Sequence, residues 1–80
     1  MPPLRRIHPD KTYVEDPAAR RNLEYHRTRS TPEIVDSLRP GASEPLIMKP
    51  DGRIVQGNTR IKVLEERGYP INDLPRDISE

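Results

Sequence analysis

Pro50-Asp51-Gly52-Arg53-Ile54-Val55-Gln56-Gly57-Asn58-Thr59-Arg60-Ile61-Lys62-Val63-Leu64-Glu65-Glu66-Arg67-Gly68 reads as a turn, a strand, a glycine corner and a helix. In Pro50-Asp51-Gly52 the proline presets φ, the aspartate bonds the backbone that follows it, and the glycine is free to take positive φ. Ile54 and Val55 form a short β-branched run. Gly57 breaks that run, Asn58 stands as a helix N-cap, and Ile61, Val63 and Leu64 open a helical apolar pattern that Gly68 stops.

The corner has a chemical meaning. Free backbone N–H groups point out of a helix N-terminus, where the dipole places partial positive charge, so that end suits an anion. Arg60 falls in the first turn and adds a guanidinium, while the Asn58 amide and the Thr59 hydroxyl add neutral hydrogen-bonding groups. Gln56 and Lys62 flank the set. The same spacing also fits a helix that merely starts after a glycine with a polar cap.

Upstream, Glu44 to Lys49 is a strand by pattern, with Leu46, Ile47 and Met48 consecutive and apolar. Lys49-Pro50-Asp51-Gly52-Arg53 joins it tightly to Ile54-Val55-Gln56, so residues 45–49 and 53–56 form a hairpin. A lone hairpin is marginal in water and needs helices packed on it, with Leu4 to Ile7 as a possible third strand. Ser30-Thr31-Pro32-Glu33 is a start signal with a serine cap and a glutamate three residues on, and Ile34, Val35 and Leu38 form one face of a helix over 32–39 that Pro40-Gly41 ends. Asp16 as N-cap and Pro17 at the first helical position open another helix over 16–29. Its apolar stripe, from Ala18, Ala19, Leu23 and Tyr25, is narrow, and Arg20, Arg21, Arg27 and Arg29 give it a basic surface for phosphate or an acidic protein partner. Residues 1–15, with three prolines by Pro9, are expected as an extended basic arm, with Asp10 to Val14 continuing it. His8 stands there without a second histidine nearby in sequence. The tail 76–80 is expected to fray.

With those residues in place, the segment Glu44 to Gly68 resembles the core of the ParB/sulfiredoxin-like domains, in which a strand, a hairpin turn, a second strand, a G-x-x-R corner and a helix follow one another. Ile34 to Gly41 resembles the short helix that precedes the first of those strands, so the likeness covers roughly half the chain. The resemblance implies an α+β fold over residues 16–75, a corner that holds nucleotide phosphate through Gly57, Asn58, Thr59 and Arg60, a nucleoside triphosphate with Mg²⁺ as ligand, and a bacterial or phage source. The lack of a signal-peptide apolar region leads to the expectation of a cytoplasmic protein. Relatives include nucleotidases, kinases and nucleases. Two departures narrow it. There is no cysteine, which excludes sulfiredoxin chemistry, and Asn58 and Thr59 stand where partition proteins carry the middle of G-E-R-R.

Bulk properties bound the rest. Eighty residues allow one small domain. With 31% hydrophobic residues, no Phe and no Trp the core is thin, and 34% charge favours dependence on a partner. Net charge is only +1, but residues 1–29 carry seven Lys and Arg against four Asp and Glu, so the basic half is the amino-terminal one. No apolar run is long enough to span a bilayer, and no metal-ligand set is found. The first functional expectation is therefore a phosphate- or nucleotide-binding module at the Gly57–Arg60 corner. The second is a protein-interaction module, such as an antitoxin or accessory subunit, that binds its partner through Arg20, Arg21, Arg27 and Arg29. Direct DNA binding by the basic half ranks third. Catalysis needs a carboxylate beside the phosphate. Glu44 is the preferred candidate over Glu15, Asp16 and Asp51, because it opens the strand paired with the one entering the corner.

Overall fold

Asp16 and Ser30 begin two helices by the same device, a short side-chain oxygen turned onto a backbone amide that the helix leaves unpaired. The computed structural model describes residues 2–80. In it the Asp16 carboxylate accepts from Ala18 N at 3.0 Å and opens α2, Pro17–Arg27, with the proline at the first helical position. Ser30 accepts from Glu33 N while the Glu33 carboxylate accepts from Ser30 N, a reciprocal box that opens α3, Thr31–Ser37. Ahead of both lies a single helical turn, α1, Thr12–Glu15. After α3 come β1, Ile47–Met48, β2, Ile54–Gln56, and α4, Asn58–Glu66. A 3₁₀ turn at Ile71–Asp73 leads to β3, Asp77–Ile78. The result is a small α+β fold of four α-helices and a three-stranded mixed sheet among the described residues.

The sheet runs in the order β2-β1-β3, with β1 antiparallel to β2 and parallel to β3. Ile47 faces Gln56 and Met48 faces Ile54, so Val55 is the extra residue of a bulge. The bulge turns Val55 outward, where it is exposed, and leaves Ile54 fully buried. Beyond β2, the amino-terminal arm adds a single parallel bridge: Arg5 N donates to Gly52 O at 2.9 Å and Ile54 N donates to Arg5 O at 3.0 Å. Gly52, at φ 96°, lies directly beneath the arm, where a Cβ would run into the Pro3 carbonyl oxygen.

Two expectations are corrected by this arrangement. Residues 10–14 are not extended: Thr12 N and Tyr13 N donate to Pro9 O and Asp10 O, winding the chain into α1, because that turn drives Tyr13 into the core while Val14 points to solvent. The tail does not fray at Asp77 and Ile78. Asp77 N donates to Leu46 O at 2.9 Å and Ser79 N to Met48 O at 2.8 Å, satisfying the edge of β1 that the hairpin leaves open. Helix ends also fall a residue or two short of the expected limits, at Arg27, Ser37 and Glu66.

The core gathers Leu23 of α2, Ile34 and Leu38 of α3, Leu46, Ile54, and Ile61, Val63 and Leu64 of α4, with Tyr13 and Leu74 closing its ends. Leu46 N donates to Leu38 O, so the end of α3 is tied to the residue before β1. The Arg27 guanidinium grips Glu66 through Nε and Nη2, fixing α2 against α4. The beginning of α4 therefore sits at the meeting point of α2, the α3–β1 loop, the end of β2 and the arm.

Candidate functional site

The corner at Gly57 is set by backbone geometry that only glycine accepts cheaply. Its φ is 110°, and a Cβ there would come within 3.1 Å of Leu38 Cδ2 and 3.2 Å of Leu46 Cδ1. Gly57 itself is the N-cap of α4, and no side chain caps the helix. Its carbonyl takes Ile61 N, while the amides of Asn58, Thr59 and Arg60 have no acceptor among the described residues. A cavity of about 260 Å³ opens over these amides, lined by the corner and first turn of α4 and, across from them, by Asn22 and His26 of α2, Glu44 of the α3–β1 loop and His8 of the arm.

Arg60 is the distinctive group of this pocket. The residue is only 6% exposed, yet no carboxylate lies within ion-pair distance of it among the described residues. Nη1 donates to the Ser37 carbonyl and to Ser37 Oγ, both at 3.1 Å. Nε and Nη2 form no hydrogen bond, and since no fully buried side-chain nitrogen or oxygen lacks a partner, neither is sealed from solvent. Nη2 lies beside Gly57, 3.7 Å from where a Cβ would stand, because side chains of a helix lean toward its N-terminus. Burial pushes the guanidinium below its usual pKa, Arg29 adds to the fall and Glu44 opposes it. The free amides, the helix dipole and a half-paired cation thus converge on one small space.

The other expected ligands divide. Asn58 is not a free donor: Nδ2 donates to Ile54 O and Oδ1 accepts from Ile7 N, both at 2.9 Å, so the amide clamps strand, arm and helix together. It stands at the first helical position rather than at the cap. Thr59 Oγ1 is bonded to the Tyr13 hydroxyl at 3.0 Å, bracing α1 on α4. Gln56 Nε2 donates to Pro45 O, with the side chain still on the pocket wall. Lys62 turns away to Asp10 and Glu66 and over the Tyr13 ring, because two residues after Arg60 it stands about 200° round the helix, off the face that Arg60 presents. Glu44 lines the pocket, though from the loop three residues ahead of β1 and not as the first residue of a strand, whereas Asp51 accepts from Arg53 N in the hairpin turn, Asp16 caps α2 and Glu15 is exposed on α1.

The arginine surface divides as well. Arg27 is committed to Glu66, and Arg29 packs over the Tyr25 ring with Nη1 3.4 Å from His26 Nδ1. Arg20 and Arg21 stand exposed on α2. In the arm, Arg6 is held by Glu65 at 2.7 Å and by Asp10 at 3.0 Å.

His26, Asn22 and His8 were invisible as site residues in the sequence. Asn22 and His26 are four apart on α2 and share a face, which a helical wheel displays, but only tertiary packing shows that this face meets Arg60. His8 and His26, far apart in sequence, line the same pocket. No group of three or more His, Cys, Asp or Glu side chains is placed to hold a metal ion among the described residues. No helix among them is long and apolar enough to cross a membrane. Compared with known protein families, with curated proteins and with solved structures, the chain matches none.

Proposed function

We propose that this chain is a phosphate-binding module of ParB/sulfiredoxin-like type, acting in the cytoplasm, whose Gly57–Arg60 corner takes a phosphate of a nucleoside triphosphate. The observation that carries the reading is Arg60: a buried cation with no counter-ion, half of its fork unpaired, beside three free helix amides. A buried charge without a partner is costly, and an anion in the cavity offsets that cost. The ligand contacts come from the amides of Asn58, Thr59 and Arg60 and from Arg60 Nη2 and Nε, with the Asn58 side chain acting as scaffold. At about 260 Å³ the cavity suits one or two phosphate groups, with the nucleoside lying outside along exposed Val55.

Mg²⁺ fits as a companion of the phosphates rather than as a resident ion. Glu44 supplies the pocket's carboxylate, and Mg²⁺ is commonly held by one or two carboxylates together with phosphate oxygens. Bound there, it would neutralise charge on the triphosphate. Glu44 is also the residue on which any phosphoryl chemistry of a nucleotidase or kinase type would depend.

The test is thermal unfolding with CTP, ATP or GTP and Mg²⁺, and with inorganic phosphate. A ligand at about 100 times its Kd stabilises by about 2.7 kcal/mol, an easily read shift. Arg60→Gln is expected to abolish the shift. A flat response to every nucleotide and to phosphate refutes the reading.

One observation favours a second reading, that of a protein-interaction module. Arg21 and Tyr25 lie one turn apart on α2, Tyr25 is 59% exposed, and Arg29 stacks on it, a surface of the residue types that anchor interfaces. An acidic partner would engage Arg20, Arg21 and Arg29. In that case Arg21→Glu weakens association while Arg60→Gln leaves it unchanged.

A further inference from the structure

Besides Arg60, the pocket holds a side chain whose charge changes near neutrality and which faces the same space. His26, half-buried on α2, is surrounded by Tyr25 and Asn22 of its own helix, Arg29 just past that helix's end, Arg60 from α4, Glu44 from the α3–β1 loop and His8 on the wall of the same pocket. Two of these neighbours are permanent cations and one is a carboxylate. Arg29 Nη1 approaches His26 Nδ1 at 3.4 Å, and Tyr25 packs against the imidazole at 5.0 Å between ring centroids. Such surroundings suit a neutral ring with Nδ1 as acceptor and the proton on Nε2.

A dianion in the pocket reverses that balance. It supplies two negative charges to a space where guanidiniums otherwise repel a third cation, and it accepts hydrogen bonds from whatever donors surround it.

We propose that His26 is a ligand group of this pocket which takes a proton from solvent as a dianionic terminal phosphate enters, so that binding and protonation are coupled and a phosphate monoester is preferred to a diester. The inference rests on the phosphate reading of the corner and deepens it by naming the ligand class. It does not rest on the helix N-terminus alone, since the Arg60 guanidinium, nine-tenths buried, without a carboxylate and lining the same cavity, has two nitrogens with no hydrogen-bond partner. Burial first, and Arg29 and Arg60 after it, hold the imidazole below its usual pKa, while Glu44 opposes them, so the proton is absent from the ligand-free chain near neutral pH. When it arrives it occupies Nδ1 and replaces the Arg29 contact there. A diester carries one negative charge and no terminal oxygen dianion, so it draws less of the proton in and binds more weakly.

The experiment uses the whole chain and sodium sulfate, which stays dianionic where phosphate itself titrates near about pH 6. Histidine and amide NMR signals are followed during sulfate titrations from about pH 7.5 to about pH 5.5. One coupled proton makes affinity rise by up to about tenfold per pH unit lowered, and at least threefold is expected. The His26 midpoint is expected to move up in saturating sulfate. His26→Gln is expected to bind sulfate with no pH dependence, and glycerol 3-phosphate to bind at least about tenfold more tightly than dimethyl phosphate near pH 7.5. Sulfate binding to the unmodified chain that is flat with pH, a pH slope retained in His26→Gln, or equal affinity for monoester and diester overturns the role of His26 and leaves the phosphate site standing. Failure of sulfate and inorganic phosphate to bind at any pH brings down the phosphate reading itself, and this inference with it.

Discussion

Replacing Arg60 by methionine separates what the residue does for the fold from what it does for a ligand. Methionine keeps an unbranched stem, shorter than arginine's by the guanidinium, and carries no charge to desolvate. The loss is the pair of 3.1 Å bonds to Ser37. Ser37 Oγ keeps its own bond to Ile34 O at 2.7 Å, so the group left without a donor is the Ser37 carbonyl, a penalty of about 1–3 kcal/mol. Against it stands relief of a cation desolvation that no carboxylate offsets, which for a deeply buried ion is several kcal/mol and here is smaller, because the guanidinium is not fully sealed from solvent. The difference is a stability change between about zero and a gain of about 2 kcal/mol, or up to roughly 8–16 °C in Tm for a domain this small. Chemical denaturation with urea measures it, and the same variant must lose any Tm shift caused by phosphate. A destabilisation beyond about 2 kcal/mol would refute the reasoning, since it would make Arg60 a strut between α3 and α4 rather than a cation held in reserve for an anion.

Gly57→Ala forces a Cβ against Leu38 and Leu46 at an unfavourable φ, and a loss of about 2–4 kcal/mol in urea denaturation is expected, together with loss of phosphate binding. Asn58→Ala strips the arm and strand of their clamp at Ile7 N and Ile54 O and is expected to destabilise by about 2–4 kcal/mol, with faster hydrogen exchange at the Ile7 amide. Asp77→Pro removes the amide that bonds Leu46 O and is expected to lower stability by about 1–3 kcal/mol, a result that Tm measurement checks directly. The pH dependence has a defined sign. His26 is depressed on folding, so the unfolded chain binds more protons below the usual histidine range, and stability falls as pH drops from about 6.5 toward the folded value. His26→Gln is expected to flatten that part of the stability profile. Glu66, lowered chiefly by its hydrogen bond to Arg27, contributes above the ordinary carboxylate range and stops doing so as pH falls through its folded value.

Local chemistry was legible in the sequence, and distant chemistry was not. The Asp16 and Ser30 caps, the Pro50-Asp51-Gly52 turn, the short β2 and the bend at Gly57 all depend on neighbours within four residues, and each lies where its residue types placed it. The strand β3 pairs in parallel with a partner thirty residues earlier, and two residues carry too little alternation to announce it. Tyr13 shows the opposite failure: Thr12 and Val14 favour extended chain, but burial of one aromatic ring outweighs their preference. Asn58 was misread because cap propensity describes a side chain folding back on its own helix, whereas this one spends its donor and its acceptor on Ile54 and Ile7.

The arm has a bearing on how the protein assembles. Leu4 N finds its acceptor in the Asn72 side chain, Arg6 meets Glu65, and Arg5 rests on the hairpin turn, so a segment made early waits for partners made late. Closing such long loops is slow compared with winding α2 or α3. Until the arm arrives, the outer edge of β2 is bare, and nascent chains in that interval carry an unpaired strand ready to join a neighbour's. Pro2, Pro3 and Pro9, which stiffen the arm and remove amides from its own edge, make it a poor template for such joining and a good lid for the edge it was made to cover.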